Sequence, residues 1–162
     1  SGRMPVEKVI VDEKSQALLA EVDGIPLSRI LRMGREIVIL TGDNRTALGN
    51  AFKKFLSVLQ EVLGIDEEPM MNIAGSCEEG SWRLLIFPRA KHRPDVFFRE
   101  GDERVVVSPA VIEMCGVFVA PMERDFERLD TPLVEGIFRE VSLDAATVDK
   151  VVAKMLLAAH GS

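Results

Sequence analysis

Apolar residues recur at spacings of three and four between residues 44 and 63, which is the pattern of one buried face of an α-helix. Polar side chains such as Lys53 and Glu61 fill the other face. The preceding segment 41–44, Thr-Gly-Asp-Asn, supplies an N-cap for the first turn, and Gly64 stops the helix. We therefore predict an amphipathic helix over residues 44–63 that packs on a sheet. The apolar positions are Leu48, Phe52, Phe55, Leu56, Leu59, Val62 and Leu63.

Short apolar runs bounded by turn residues predict β-strands. The segment 78–81, Glu-Glu-Gly-Ser, predicts a hairpin turn between two of them. Pro88 ends the second strand of this hairpin because proline has no N–H to donate to a neighbouring strand. Gly24, Ile25 and Pro26 predict an earlier turn. The predicted strands span residues 9–12, 17–22, 36–40, 70–77, 82–87, 104–107 and 117–120.

Helical segments are predicted in the last third of the chain. Ser108 as N-cap and Pro109 in the first turn predict a short helix. Residues 121–129 predict a loop with a helical turn, and residues 131–140 and 143–158 predict two terminal helices. Hairpins beside helices are typical of an α+β fold. We therefore predict an antiparallel sheet with one long packing helix and C-terminal helices.

The length of the chain fits one domain of ordinary size, which we place at residues 4–160 of the 162. Residues 1–3 resemble a cloning remnant. No run of 18 apolar residues is present, and the N-terminus has no apolar segment of the signal-peptide type. These features predict a cytoplasmic protein without a membrane partner.

The chain carries 20 basic and 26 acidic residues, a net charge of −6. An acidic protein is a poor match for nucleic acid, so we expect no nucleic-acid partner. Cys77 and Cys115 are isolated from each other, and only two histidines are present. This pattern predicts reduced thiols and no metal site. His160 lies at the C-terminus, where we expect it to be inert.

The densest basic cluster of this acidic chain contains Arg89, Lys91, His92 and Arg93. One interpretation is a phosphate clamp, in which arginine supplies two parallel hydrogen bonds and lysine a point charge. The other interpretation is a solvated loop whose cations form surface ion pairs. The acidic residues available for such pairs are Asp95, Glu100 and Asp102.

His92 also allows a third hypothesis, because the pKa of an unperturbed imidazole lies near neutrality. An independent hydrolase would use His92 as general acid or base. That role needs a carboxylate within hydrogen-bond reach of the imidazole. A serine hydrolase is not predicted, because no serine lies in a G-x-S-x-G motif.

Residues 72–93 read N-I-A-G-S-C-E-E-G-S-W-R-L-L-I-F-P-R-A-K-H-R, a strand with Asn72, a turn, and an apolar strand that ends in Pro88-Arg89. With the preceding helix, this order resembles the core of the histidine-triad (HIT) superfamily. Residues 107–129, V-S-P-A-V-I-E-M-C-G-V-F-V-A-P-M-E-R-D-F-E-R-L, resemble the second repeat of galactose-1-phosphate uridylyltransferase. They are also similar to diadenosine tetraphosphate phosphorylase (ATP adenylyltransferase) and GDP-galactose phosphorylase.

The resemblance implies a HIT-like sheet in which Ser81, Arg83 and Leu85 occupy the positions of the three triad histidines. None of them is histidine, so the resemblance implies no catalytic residue in this chain. It also implies that Asn72 contacts ribose or phosphate. With Arg89, Lys91, His92 and Arg93, Asn72 completes the predicted phosphate- or nucleotide-binding set.

From the resemblance we expect a substrate-holding C-terminal half of a nucleotidyltransferase or nucleotide phosphorylase. Such a half would bind a nucleotide or sugar phosphate without a cofactor. The catalytic histidine would lie in a preceding segment. The expected protein partner is that N-terminal catalytic half or a homodimer partner. The alternative is a non-catalytic interaction or dimerisation module with a HIT-like fold.

Overall fold

The computed structural model describes residues 4–6, 16–30 and 33–159. Five strands form one antiparallel sheet in the order β1-β2-β3-β5-β4. The predicted strand at residues 9–12 and the terminal His160 lie outside the described residues. The strands are β1 (Gln16–Val22), β2 (Ile25–Ile30), β3 (Val38–Gly42), β4 (Met71–Glu78) and β5 (Ser81–Pro88).

One long helix lies between β3 and β4, and the other helices follow β5, beside an antiparallel sheet, so the predicted α+β class is confirmed. Within the described part of the chain, no helix combines the length and apolar composition needed to cross a bilayer. The helices are α1 (Arg45–Leu63), α2 (Val111–Met114), α3 (Glu123–Arg128), α4 (Thr131–Val141) and α5 (Ala145–Ala159), with short 3₁₀ turns at Asp95–Phe98 and Gly101–Glu103.

The two ends of helix α1 are set by the residues that the sequence indicates. The Asn44 side chain accepts hydrogen bonds from the backbone N–H groups of Thr46 and Ala47, at 2.9 and 3.1 Å. Gly64 ends the helix at a φ of 65°, a left-handed conformation that glycine adopts without a steric penalty. The amphipathic helix predicted over residues 44–63 is therefore confirmed.

An apolar cluster lies on each face of the sheet, since successive strand residues point to opposite sides and the central strands are apolar at most positions. On β5, Ile86 packs in one apolar cluster, whereas Leu85 and Phe87 pack in the other. Helices α1 and α5 cover the first face, contributing residues such as Phe55 and Met155. The second face is covered by shorter pieces, among them the α2 region and α4.

Four local predictions are wrong. The turn predicted at residues 24–26 is misplaced: it lies at Asp23 and Gly24, both with positive φ, whereas Ile25 and Pro26 already belong to β2. Positive φ at both central residues is what a two-residue hairpin turn requires. The short helix begins at Val111 and is preceded by Ala110, not at the Ser108-Pro109 pair.

Residues 104–107 and 117–120, both predicted as strands, are irregular. In the first segment, the N–H of Val106 donates to the Asp125 carboxylate at 2.8 Å instead of to a neighbouring strand. In the second, Val117 and Val119 remain 40% and 51% exposed, as residues of a central strand would not. Their short apolar runs indicated strands only weakly.

Candidate functional site

The five residues predicted as a phosphate site lie together around one cleft. It forms where β4 begins beside the end of β5, and the loop after β5 meets residues 108–110. Its volume is about 540 Å³, within the range of about 300–1,000 Å³ that is usual for small-molecule sites. The lining residues are Asn72, Arg89, Lys91, His92, Arg93, Asp95, Phe98, Ser108, Pro109 and Ala110.

Arg89 is the buried centre of this region, with 5% of its surface exposed. Its backbone N–H donates to the Met70 carbonyl at 2.8 Å, which extends the pairing of β4 and β5 by one residue. Its guanidinium donates to five different residues. The acceptors are Asn72 Oδ1 at 2.5 Å and the carbonyls of Pro109 at 2.7 Å, His92 at 2.9 Å, Lys91 at 3.0 Å and Val141 at 3.2 Å.

These contacts occupy both Nη atoms and Nε of Arg89. Arginine has five N–H groups in a fixed planar fork, so few or none remain for a ligand. Burial lowers the pKa of Arg89 because the charged form loses hydration. The guanidinium therefore holds the carbonyls of Lys91 and His92 in place, and through them sets the course of the basic loop.

Lys91 lies at the rim of the cleft with its charge already compensated. Its ammonium forms an ion pair with Asp95 at 2.7 Å and a second one with Glu140. Hydrogen bonds to Asp95 and Glu140 raise the pKa of Lys91, and the same ammonium lowers the pKa of Asp95. The surface ion pair with Asp95, considered above as an alternative to a clamp, is therefore formed.

Arg93 differs from both, because no carboxylate in the described residues lies within ion-pair distance of it. Its guanidinium packs on the ring of Phe97, with the Cζ atom 4.3 Å from the ring centre. Its Nε donates to the Ser108 hydroxyl at 3.3 Å. Arg93 is also exposed. It is thus a positioned cation whose charge is not cancelled by a nearby acid.

His92 and Asn72 contribute smaller groups to the cleft. The imidazole of His92 is exposed, and within residues 4–6, 16–30 and 33–159 no carboxylate pairs with it. The hydrolase hypothesis therefore gains no acid–base partner from the described structure. Asn72 accepts a bond from Arg89 through Oδ1, which leaves its NH₂ group as the one it can offer to a ligand.

Sequence reasoning missed Phe98 and Ser108 as cleft residues. Ser108 was interpreted as a helix cap, although its hydroxyl instead accepts from Arg93. Phe98 is 67% exposed and lines the cleft. The signal for it was present as two adjacent phenylalanines, Phe97 and Phe98, in an otherwise polar loop.

The positions that the HIT resemblance assigns to the triad alternate along β5, as three residues of one face must. Leu85 is 2% exposed and belongs to the apolar cluster of the second face. Arg83 lies 3.9 Å from the Glu78 carboxylate across the hairpin. Neither Leu85 nor Arg83 offers a nucleophile at neutral pH.

A second cleft, of about 590 Å³, lies at the turn between β2 and β3. There Arg29 is paired with Glu36 and, at 2.6 Å, with Asp149. Arg35 donates to the carbonyl of Met114 at 2.8 Å. The charge of Arg29 is thus compensated by two carboxylates, whereas the cleft of the basic loop holds all five predicted residues and the exposed Arg93. We therefore place the candidate site in the cleft of the basic loop.

The comparison with known families gives one match. A family model described as "GDPGP1-like, C-terminal domain" matches residues 3–161. No curated protein and no solved structure matches the chain. The match covers almost the whole sequence, and it supports the resemblance to GDP-galactose phosphorylase stated above. The chain therefore belongs to the family of GDPGP1-like C-terminal domains.

Proposed function

We propose that this chain is the substrate-holding C-terminal half of a nucleotide phosphorylase or nucleotidyltransferase. The observation that carries the proposal is the exposed guanidinium of Arg93 in a cleft of ligand size, with no carboxylate of the described residues within ion-pair distance. An anion in that cleft would meet Arg93 first. The His92 imidazole and the Asn72 amide would add hydrogen bonds, whereas Arg89 and Lys91 would shape the loop around it.

The same proposal includes a HIT-like origin for residues 4–160 as one domain. Ser81, Arg83 and Leu85 would then stand where the histidines of an active unit stand. The nucleophilic histidine would come from an N-terminal half of the same protein. This division of labour agrees with the family description, which concerns C-terminal domains. The 162-residue chain alone should release no nucleoside monophosphate from a nucleotide sugar or from diadenosine tetraphosphate.

Calorimetric titration at low salt tests the binding part of the proposal. We expect the chain to bind inorganic pyrophosphate, nucleoside diphosphates and sugar 1-phosphates. Pyrophosphate is the smallest of these ligands. The Arg93→Ala variant should bind these ligands about tenfold more weakly or worse, because it loses a charge-assisted hydrogen bond. Arg99→Ala is the matched control, since Arg99 is exposed and does not line the cleft.

Two outcomes would contradict the proposal. The first is no binding of any of these anions at millimolar concentration. The second is an equal loss of affinity in the Arg93→Ala and Arg99→Ala variants, which would indicate a general charge effect. A pyrophosphate affinity that depends on Arg93 alone supports the proposal.

The alternative function, a non-catalytic interaction or dimerisation module, is favoured by a different observation. Five large apolar side chains between residues 112 and 126 are 40% exposed or more. Several large apolar side chains left exposed in one segment can mark a protein interface. Light scattering of the unsubstituted chain and of the Val119→Ser variant separates this function from the first. A dimer that the substitution dissociates supports an interaction module. The residues are Ile112, Val117, Val119, Met122 and Phe126.

A further inference from the structure

Phe98 is an exposed aromatic ring inside the cleft of the basic loop. It ends the 3₁₀ turn Asp95–Phe98, and 67% of its surface is exposed. Phenylalanine has no polar group that gains from exposure, so a ring left open at a cleft is available to a ligand. The face of such a ring binds planar groups by stacking.

The ring of Phe98 is held by its neighbour. Phe97 and Phe98 meet edge to face, with ring centres 5.2 Å apart and planes at 76°. The Phe97 ring is itself fixed by the guanidinium groups of Arg93, at 4.3 Å, and Arg104, at 5.2 Å. Phe98 is therefore positioned before a ligand arrives, which lowers the entropic cost of binding.

The basic loop and the 3₁₀ turn after it thus place two different recognition groups at one cleft. Arg93, packed on Phe97, supplies positive charge, and Phe98 supplies an apolar planar surface. A bare phosphate or a sugar phosphate would use only the first group. A ligand with a phosphate and a planar ring would use both.

We infer that Phe98 stacks against the base of a nucleotide whose phosphates lie at Arg93, and that this ring makes the cleft selective for nucleotides over sugar phosphates. The inference rests on the proposed phosphate binding and adds the class of ligand and the residue that selects it. No hydrogen-bonding group is needed for stacking, so the selection acts on ring area. Purine nucleotides should bind more tightly than pyrimidine nucleotides.

The test compares four ligands by calorimetry with the 162-residue chain: GDP, CDP, ribose 5-phosphate and inorganic pyrophosphate. We expect GDP to bind about tenfold more tightly than pyrophosphate, which is the usual scale of one base stacked on an aromatic ring. Phe98→Ala should remove that advantage and leave the pyrophosphate affinity unchanged. Phe98→Trp should retain the advantage of GDP over pyrophosphate, because the tryptophan ring is larger than that of phenylalanine.

Phe126→Ala provides the matched control, because Phe126 is exposed to the same degree, 69%, and does not line the cleft. Equal affinities of GDP and pyrophosphate would overturn the inference. So would a loss of GDP affinity that Phe126→Ala reproduces. In either case, pyrophosphate binding that still depends on Arg93 would leave the proposed function standing. If none of the four ligands binds, both proposals fail together.

Discussion

The two faces of the sheet are covered by different kinds of structure. On one face, α1 and α5 lay long apolar stripes across the strands, and the cluster there contains Phe55 and Met155. On the other face, a loop, the short α2 region and α4 share the cover. The candidate site lies at the end of β5, where the cover consists of loops.

Single buried polar groups connect the segments that cover this second face of the sheet. Arg89 ties the basic loop to the carbonyls of Pro109 and Val141, which belong to two other segments. The Asp125 carboxylate, with no exposed surface, fixes Val106 of a third segment. Arg89 satisfies several backbone carbonyls, and Asp125 satisfies one backbone N–H. Regular structure would otherwise satisfy these groups. The helical face is therefore stabilised by the larger apolar cluster, whereas the site face combines a smaller apolar cluster with a few buried polar centres.

The largest expected effect comes from the helical face. Phe55→Ala removes a ring that is 1% exposed in the cluster between α1 and the sheet. Large-to-small core substitutions of this type cost about 3–5 kcal/mol of unfolding free energy. Urea denaturation measures the loss, with Lys53→Ala on the exposed side of α1 as the control. A cost of about 1 kcal/mol or less for Phe55→Ala would mean that this face is not the main source of stability.

The second prediction tests the polar centre of the site face. Arg89→Met keeps much of the side-chain volume but leaves its carbonyl acceptors without donors in a buried region. Each buried polar group left unsatisfied costs about 1–3 kcal/mol, so we expect a loss of about 3 kcal/mol in urea denaturation. Arg89→Lys should not restore it, because an ammonium cannot reach acceptors in a planar fork.

The phosphate-clamp hypothesis makes the opposite prediction for Arg89. If Arg89 were mainly a ligand group, Arg89→Met would weaken pyrophosphate binding and leave the denaturation midpoint unchanged. A midpoint within error of the unsubstituted chain would therefore overturn the structural role argued for this residue.

The sequence allowed good prediction of the elements that local signals define. Helix α1 begins and ends where Asn44 and Gly64 indicated, because capping depends on neighbouring residues. The hairpin of β4 and β5 was also predicted, since its turn residues lie between two apolar runs. By contrast, the apolar run at residues 117–120 was misassigned, because a run of that length does not distinguish a strand from an exposed segment.

The candidate site shows the same limit. The cluster of cations after β5 was visible in the sequence, and its members do line one cleft. Their different surroundings were not visible. Arg89 is occupied by acceptors 17, 20 and 52 residues away, at Asn72, Pro109 and Val141. Such long-range contacts decide which arginine is buried and which is available, and no local pattern encodes them.

The smallest expected effect concerns Lys91 and tests whether its charge is indeed cancelled. Glu140→Gln removes one of the two carboxylates paired with Lys91, while the new amide oxygen can still accept from the Asp95 N–H. The rim of the cleft then gains one unit of positive charge. In water, one such charge at the rim adds only modestly to the attraction of an anion, so we expect pyrophosphate affinity to rise about twofold.

This gain should disappear at about 1 M salt, where the screening length falls to about 3 Å. Glu61→Gln is the matched control, because it breaks the ion pair with Lys154 on the helical face and changes the net charge equally. If Glu140→Gln instead weakened binding, the ion pair would matter more for ordering the loop than for its charge. Lys91 would then act with Arg89 as a second polar centre of the site face, and the contrast between the two faces would become sharper.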